Sequence, residues 1–364
     1  MKAIDIGLPV AALAAALLLF GGFVWLGGAS PVETWTILFK GAFGDWFSWQ
    51  NTLQRAAPLM LTALCVAVPA RAGLIIIGGE GAVVLGGLAA AALPYAVPLP
   101  GNVLGSVLVC IAGMVVGAGW IAIAGALRQY RGVNETISSL LLAYTAIALF
   151  KQLVEGPLRD PTTLNKPSTR SLVEAIQIGG IAGSDVHWGL ALGVVACLGL
   201  GLWLALTASG FSVRVVGGNL RAAQLVGLPA NRLILVTCAI GGAAAGLAGA
   251  VEVAAVHTNA NASLIAGYGY AGILVAFIAR QNPFAIIPVA ILFGGFGAAG
   301  SLLQRRLGLP DASVQVLQGI AFVLILASKS LRSVDWSAVA KKMRQRATPE
   351  PEPASPLKVE ETTA

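Results

Sequence analysis

Long uninterrupted apolar runs, most of them close to 20 residues, constrain the fold more than any other feature of this sequence. A helix of about 20 residues spans the hydrocarbon core of a bilayer, and in lipid only a helix or a closed barrel satisfies its own backbone hydrogen bonds. Barrel strands would alternate apolar and polar residues, and these runs do not. We therefore predict an all-α polytopic membrane protein of about ten transmembrane helices, at 6–26, 52–70, 73–93, 103–127, 136–154, 186–206, 233–256, 267–280, 283–303 and 313–331.

Composition excludes the other broad classes. Hydrophobic residues make up 57% of the chain and charged residues 11%, whereas about a quarter of an ordinary soluble protein is charged. The net charge of +7 comes without a basic stripe outside the apolar runs, so we predict a lipid bilayer and no nucleic acid as partner. The four cysteines stand singly inside apolar runs, which predicts small core residues and no metal site.

The charged residues predict an orientation and two domains. With the N-terminus inside, most Lys and Arg residues fall on the cytosolic side, so both termini are predicted to be cytoplasmic. The first run follows Lys2 like a signal peptide, but it is longer than such a segment and favours a retained helix. The aromatic segment 27–51 predicts a short helix at the outer interface. Residues 1–331 form the predicted membrane domain, and the Pro- and Glu-rich residues 332–364 a disordered cytoplasmic tail.

Two glycine-interrupted runs suggest internal symmetry. The third run opens GLIIIGGEGAVVLGG and the eighth opens AGYGYAGILVAF, and each follows an intact run. Broken segments at matching positions of two halves are typical of an inverted repeat, here of two five-helix halves around a translocation path. Glycines that merely allow close helix packing are the alternative, and the sequence leaves both open.

The inner loop 207–232 is the most distinctive polar segment. Asn219 is a good N-cap, the next seven residues can form two helical turns, and Gly227 with Pro229 ends them. A capped helix between two membrane helices favours docking to another protein over a plain connector. The chain has no G-x-S-x-G, H-E-x-x-H or P-loop motif. Energy for uphill transport must therefore come from another subunit or from an ion gradient.

The loop also carries a resemblance to a known family. Its pattern G-x3-R-x2-G-x-N-x2-A-A-x3-G resembles the ATPase-coupling loop of bacterial ABC importer permeases for branched-chain amino acids, ribose and nucleosides. Further motifs at 71–81, 132–138, 156–161 and 267–283 are similar to the simple-sugar and nucleoside branch. The loop residues that the resemblance implies in coupling are Gly210, Arg214, Gly217, Asn219, Arg221, Ala222, Ala223 and Gly227.

The resemblance implies a transport subunit that is not itself an enzyme. It implies two paired, often paralogous permeases in the bacterial inner membrane, two cytosolic ABC ATPases and an extracytoplasmic solute-binding lipoprotein. This chain would bind no cofactor, because ATP and Mg would sit on the ATPases. The expected solute is a nucleoside or a simple-sugar-like compound. Branched-chain amino acid or other small-solute import, ion-coupled secondary transport and a membrane-embedded enzyme are the alternatives, the last lacking a nucleophile or metal cluster.

Several residues are candidates for the translocation path, each with a plainer structural reading. Glu80 would be held by backbone donors at a broken helix, as a hinge or a substrate contact. Glu135 follows the N-cap residue Asn134, which favours a helix-start role, and Glu252 with His257 suggests an interfacial pair. The family's polar path positions hold Ile76, Ala82 and Ala143 here, which predicts a less polar path. The path candidates are Gly78, Glu80, Gly81, Asn134, Glu135, Tyr268 and Tyr270, the tyrosines being alternatively interfacial anchors.

Overall fold

The computed structural model describes residues 4–163, 166–310 and 312–331, so the predicted tail lies outside the described residues. Over the described ranges the chain is all-helical and forms no strand, which confirms the all-α prediction. The helices are α1 (Ile4–Leu26), α2 (Pro31–Phe43), α3 (Trp46–Arg71), α4 (Gly79–Ala96), α5 (Val103–Arg131), α6 (Glu135–Glu155), α7 (Gly189–Leu206), α8 (Ala208–Gly218), α9 (Leu220–Leu225), α10 (Ala230–Val251), α11 (Tyr268–Ile278), α12 (Pro283–Leu307) and α13 (Ala312–Leu331).

Seven described helices are long and apolar enough to cross a membrane, namely α3 to α7, α10 with its extension to His257, and α12. Three shorter apolar helical stretches, Ala11–Leu26, Ala262–Ile278 and Ala312–Ser328, coincide with the first, eighth and tenth predicted runs. The chain is therefore a multi-pass membrane protein, and the count of ten crossings stays a prediction.

Local sequence explains where many helices begin and end. The side chains of Asn102, Asn134, Asn219 and Asn282 each accept hydrogen bonds from backbone N–H groups of the first turn that follows. These are N-cap bonds, which satisfy donors that have no partner inside the helix. At the other end, α5 stops at Gly132, whose φ of 68° suits glycine.

The third apolar run does not become helical where predicted. Its helix begins only at Gly79, because the residues before it are extended and bonded to α6. The Thr136 hydroxyl donates to the Ile75 carbonyl at 3.0 Å, and the Ile77 N–H donates to the Ser139 hydroxyl at 3.1 Å. These side-chain bonds replace the helical ones that the extended segment lacks.

Two segments predicted to lie outside the membrane, the aromatic segment 27–51 and the long outer loop 155–185, have defined local structure where they are described. The aromatic segment forms α2, with Ser30 as N-cap and Pro31 at the first helical position, and its end already belongs to α3. The long outer loop packs on the end of α10, where the Leu172 N–H donates to the Thr258 carbonyl at 2.7 Å. The placement of α2 at a membrane interface stays a prediction, although Phe39 of α2 is 51% exposed.

Helices α3, α4 and α10 form the centre of the bundle, and α5 crosses α10 at very short range. A Cβ atom at Gly117 of α5 would overlap the Gly242 carbonyl oxygen, and one at Gly246 would overlap the Gly113 carbonyl oxygen. Both helices thus present glycines four residues apart, the small-x-x-x-small pattern that lets membrane helices touch through their backbones. The α5–α10 crossing therefore shows the close helix packing that the sequence analysis gave as an alternative role for the glycines.

We predict that Gly117→Ala destabilises the protein by about 1–3 kcal/mol, the usual cost of overpacking a tight interface. The matched control is Gly119→Ala on the same helix, because a Cβ there meets no atom within 4 Å. The measurement is the unfolding midpoint of each purified variant in detergent. Equal midpoints for the two variants would show that the α5–α10 crossing tolerates separation.

Candidate translocation site and coupling loop

The Glu80 carboxylate bridges the beginnings of two helices. Glu80 is fully buried in the first turn of α4. Its Oε1 accepts from the Gly267 N–H at 2.9 Å, and its Oε2 accepts from the Gly269 N–H at 2.6 Å, both at the start of α11. Two helix N-termini, with their positive dipole ends, therefore converge on one carboxylate. The expectation of backbone donors at a broken helix is confirmed, and the donors come from the other broken segment.

Glycines let these backbones approach. A Cβ at Gly269 would overlap the backbone of Glu80, one at Gly78 would overlap the Ser139 carbonyl oxygen, and one at Gly81 would meet Ala143. Gly78 and Gly81 therefore hold the start of α4 against α6 and do not face open space.

A cavity of about 560 Å³ adjoins the Glu80 bridge and shares Gly267 with it. Two of the path candidates, Tyr268 and Tyr270, line this cavity, together with Arg55, Gln315 and Gln318, which were not among the path candidates. The sequence could have indicated these three residues, because they are polar residues within apolar helices. Such residues usually face protein or water. Apolar residues of α3, α12 and α13, among them Leu59, Phe293 and Phe322, complete the wall.

The remaining path candidates do not line this cavity. Asn134 caps α6 by accepting from the Thr136 N–H at 2.9 Å and the Ile137 N–H at 3.1 Å. Glu135 lies 3.3 Å from the Arg128 guanidinium at the end of α5, which agrees with a helix-start role.

The positions predicted to make the path less polar also turn away from the cavity. Ile76, Ala82 and Ala143 are fully buried in the protein and are absent from the cavity lining. Their apolar side chains therefore pack between helices, and they do not lower the polarity of the cavity.

Glu252 and His257 form the expected pair through an irregular helix. Residues 252–257 extend α10 as a π-helix, in which residues five apart come into register. The Glu252 carboxylate lies 3.5 Å from His257 Nε2, and Glu252 is 3% exposed.

The inner loop contains two helices, of which the sequence reading recognised the second. Asn219 caps α9 by accepting from the Ala222 N–H at 3.0 Å, and Gly227, with φ 79°, ends the turn that follows α9. The first helix, α8, was not predicted, although Thr207 caps it by accepting from the Gly210 N–H at 3.0 Å.

Helix α9 presents an apolar surface that the described part of the chain leaves uncovered. Leu225 is 88% exposed and Val226 is 72% exposed, and Arg221 and Ala222 are exposed beside them. Ala223, in contrast, is fully buried in the chain's own core. The small side chain of Ala223 therefore serves packing within this protein, and a substitution there would not isolate contact with a partner.

Helix α8 attaches the loop to the helix ends beneath the cavity. A Cβ at Gly210 would overlap the end of α7, and the Arg214 guanidinium donates to the Leu204 carbonyl. A Cβ at Gly217 would overlap the Arg71 carbonyl oxygen at the end of α3. The loop is therefore in direct backbone contact with α3.

Arg71 carries this connection further. Its Nε donates to the Gln281 carbonyl at 3.0 Å, in the turn between α11 and α12. Gln281 has a φ of 57°, so the turn is compact and holds its carbonyl toward Arg71. Arg71 therefore connects the inner loop and α3 to the turn that follows α11, and α11 is the helix whose first turn binds Glu80.

Comparison with known proteins also relates this chain to transporter permeases. The profile of the family described as branched-chain amino acid transport system / permease component matches residues 48–326. The glucose ABC transporter permease protein TsgB13 of Haloferax volcanii is 31% identical over 334 residues, covering 89% of this chain and 87% of that protein. The guanosine permease NupP of Bacillus subtilis is 26% identical over 318 residues (84% and 89% covered), and the nucleoside permease NupB of Lactococcus lactis is 27% identical over 349 residues (90% and 95% covered).

We predict that Glu80→Gln lowers the transport rate and that Glu80→Leu severely impairs folding or transport. Gln keeps one oxygen and turns its NH₂ toward the second N–H donor, and a buried unpaired donor costs about 1–3 kcal/mol. Leu removes both acceptors. The control is Glu155→Gln, an exposed carboxylate at the end of α6. For each variant, solute uptake is measured together with the folding of the purified protein in detergent. Wild-type behaviour of both Glu80 variants would mean that the carboxylate does not hold the two helices.

Proposed function

Because the chain belongs to the family of branched-chain amino acid transport system permease components, we propose that it is the permease subunit of an ATP-driven importer for a nucleoside or a simple sugar. The names of its relatives, which are glucose, guanosine and nucleoside ABC transporter permeases, support this solute class. ATP and Mg are bound by separate ATPase subunits, and this chain provides the path.

The observation that carries the proposal is the cavity beside the Glu80 bridge. Two tyrosine rings can stack on a base or on the apolar face of a sugar, while the amides of Gln315 and Gln318 can bond hydroxyl groups. Apart from Arg55 the polar lining groups are neutral, and with the aromatic faces they suit a polyhydroxylated solute better than an aliphatic amino acid, whose ammonium group calls for a carboxylate that the lining does not contain.

The meeting of the two broken segments supports the inverted repeat. In each proposed half an intact helix, α3 or α10, is followed by a stretch that is not regular α-helix and then by an α-helix that begins inside the bundle. The N-termini of α4 and α11 converge at Glu80, as expected for two halves that run in opposite directions. We propose ten crossings on this basis, with α1, α11 and α13 added to the seven longer spans.

The proposed orientation places the α8–α9 loop and both termini in the cytoplasm of a bacterium, with the chain in the inner membrane. The excess of Lys and Arg on that side supports it. The proposed partners are a second, paralogous permease, two cytosolic ATPases and an extracytoplasmic solute-binding lipoprotein. The uncovered apolar surface of α9 is where an ATPase would dock.

Coupling then follows a continuous set of contacts. Closure of the ATPases would move α9, and α8 would pass the movement to the end of α3 through Gly217 and Arg71. Arg71 would pass it to the turn before α12 through the Gln281 carbonyl. Since α3, α11 and α12 form the cavity wall, their movement would open the cavity to one side at a time.

An uptake experiment tests this function. The full-length chain is purified with its partner subunits and reconstituted in liposomes with the binding lipoprotein, and labelled guanosine, glucose and leucine are offered separately. Guanosine or glucose uptake should require ATP hydrolysis and resist ionophores. Gln318→Leu should raise the KM about tenfold, the effect of roughly 1.4 kcal/mol of lost hydrogen bonding, while Gln304→Leu outside the cavity should not.

Two results would overturn the proposal in different ways. Uptake that runs on an ion gradient without ATP would identify a secondary transporter. ATP-dependent uptake of leucine alone would identify an amino acid permease and leave the subunit class intact.

A second prediction concerns ATPase docking. Leu225→Ala should weaken co-purification of the ATPase more than tenfold, because burying a leucine side chain contributes about 1.5–3 kcal/mol. Membrane insertion should be normal, since the side chain contacts little of its own chain. The control is Val97→Ala, an exposed apolar residue after α4 on the proposed outer side. If the Leu225 variant recruits the ATPase as well as the wild type does, α9 is not the docking helix.

A further inference from the structure

Two cavities meet in the crevice between α5 and α10, on the face that carries α9. They share the lining residue Leu235, so they lie side by side. The first, which we call the headgroup chamber, has a volume of about 520 Å³ and a polar lining that includes Tyr130, Gln224, Asn231 and Arg232. The second, the acyl groove, measures about 430 Å³ and is lined by Gly119, Ala122, Ile123, Ala126, Leu235, Val236 and Ala239.

The headgroup chamber has the chemistry of an anion site. The exposed guanidinium of Arg232 and the hydroxyl of Tyr130, a residue that is 65% exposed, supply donors, and no carboxylate is among the lining residues. The Gln129 side chain donates to Asn231 Oδ1 at 2.6 Å and ties α5 to α10 at this level. A negatively charged group can therefore enter without meeting a like charge.

The acyl groove has the chemistry of a site for a hydrocarbon chain. Its lining residues are all apolar or glycine, and they follow α5 for about 10 Å from Gly119 to Ala126. A Cβ at Gly119 would meet no atom within 4 Å, so the groove is open and not closed by packing. A free phosphate ion would leave this groove unused, whereas a phospholipid fills both cavities.

We propose that the crevice binds one anionic phospholipid of the cytoplasmic leaflet, with its phosphate at Arg232 and one acyl chain between α5 and α10. The proposal rests on the cytosolic placement of α9 argued above. Basic pockets between membrane helices on this side are typical sites for anionic lipid headgroups. Because Gln224 and Gly227 belong to the α9 segment and line the headgroup chamber, the lipid would contact the helix that docks the ATPase.

Native mass spectrometry of the delipidated full-length chain tests the site. Phosphatidylglycerol, phosphatidylcholine with the same acyl chains, and inorganic phosphate are titrated in parallel. We expect one tightly bound phosphatidylglycerol, weaker phosphatidylcholine and no binding of phosphate. Arg232→Gln should reduce the preference for phosphatidylglycerol about fivefold. Gly119→Leu should reduce the binding of both lipids, and the control Arg305→Gln, exposed at the end of α12, should change neither.

A second measurement does not depend on the variants. Photoactivatable phosphatidylglycerol should crosslink to peptides containing Ile123 or Val236, on the two walls of the acyl groove. Crosslinks confined to other helices, wild-type lipid binding by both variants, or equal binding of inorganic phosphate would each overturn the proposal. Lipid binding is read without ATP or solute, so its failure and a failure of the proposed transport function are separate results.

Discussion

The hydrogen bonds of the Glu80 carboxylate are the interaction on which the arrangement of the cavity depends. They pair two N–H groups at the start of α11 with an acid in the first turn of α4, so that these two donors are satisfied inside the protein. A carboxylate is suited to this position because the positive ends of two helix dipoles face it. Without the acid, the Gly267 and Gly269 N–H groups would lose their acceptors, and the wall that carries Tyr268 and Tyr270 would lose its support.

Close backbone contact is the second constraint, and it extends from the core to the inner face. The α5–α10 crossing, the α4–α11 contact at Gly269 and the α8–α3 contact at Gly217 all place a glycine where a Cβ would overlap a neighbouring backbone. Backbone contacts of this kind transmit displacement well, because no flexible side chain lies between the two elements. We therefore expect the inner loop to move together with α3. Through Arg71 this movement reaches the turn between α11 and α12.

Most features of the sequence that act locally could be predicted, although α8 with its local cap at Thr207 was missed, and those that depend on distant partners could not. The cap at Asn219 and the helix start at Asn134 were readable because donor and acceptor lie within three residues. The partners of Glu80 lie 187 and 189 residues away, so the sequence indicated a held carboxylate but not by which glycines. The burial of Ala223 was missed for the same reason, since an alanine that packs inward and one that faces a partner look alike in sequence.

The most direct test of the account is the number of solute molecules imported per ATP hydrolysed in the reconstituted complex with Arg71→Ala. Arg71 contacts the inner loop and bonds the Gln281 carbonyl, in the turn between two helices of the cavity wall. A hydrogen bond from a charged group contributes about 1.5–3 kcal/mol, so we expect the ratio to fall about tenfold or more while ATP hydrolysis continues. A ratio equal to that of the wild type would show that the movement of the loop reaches the cavity by another route.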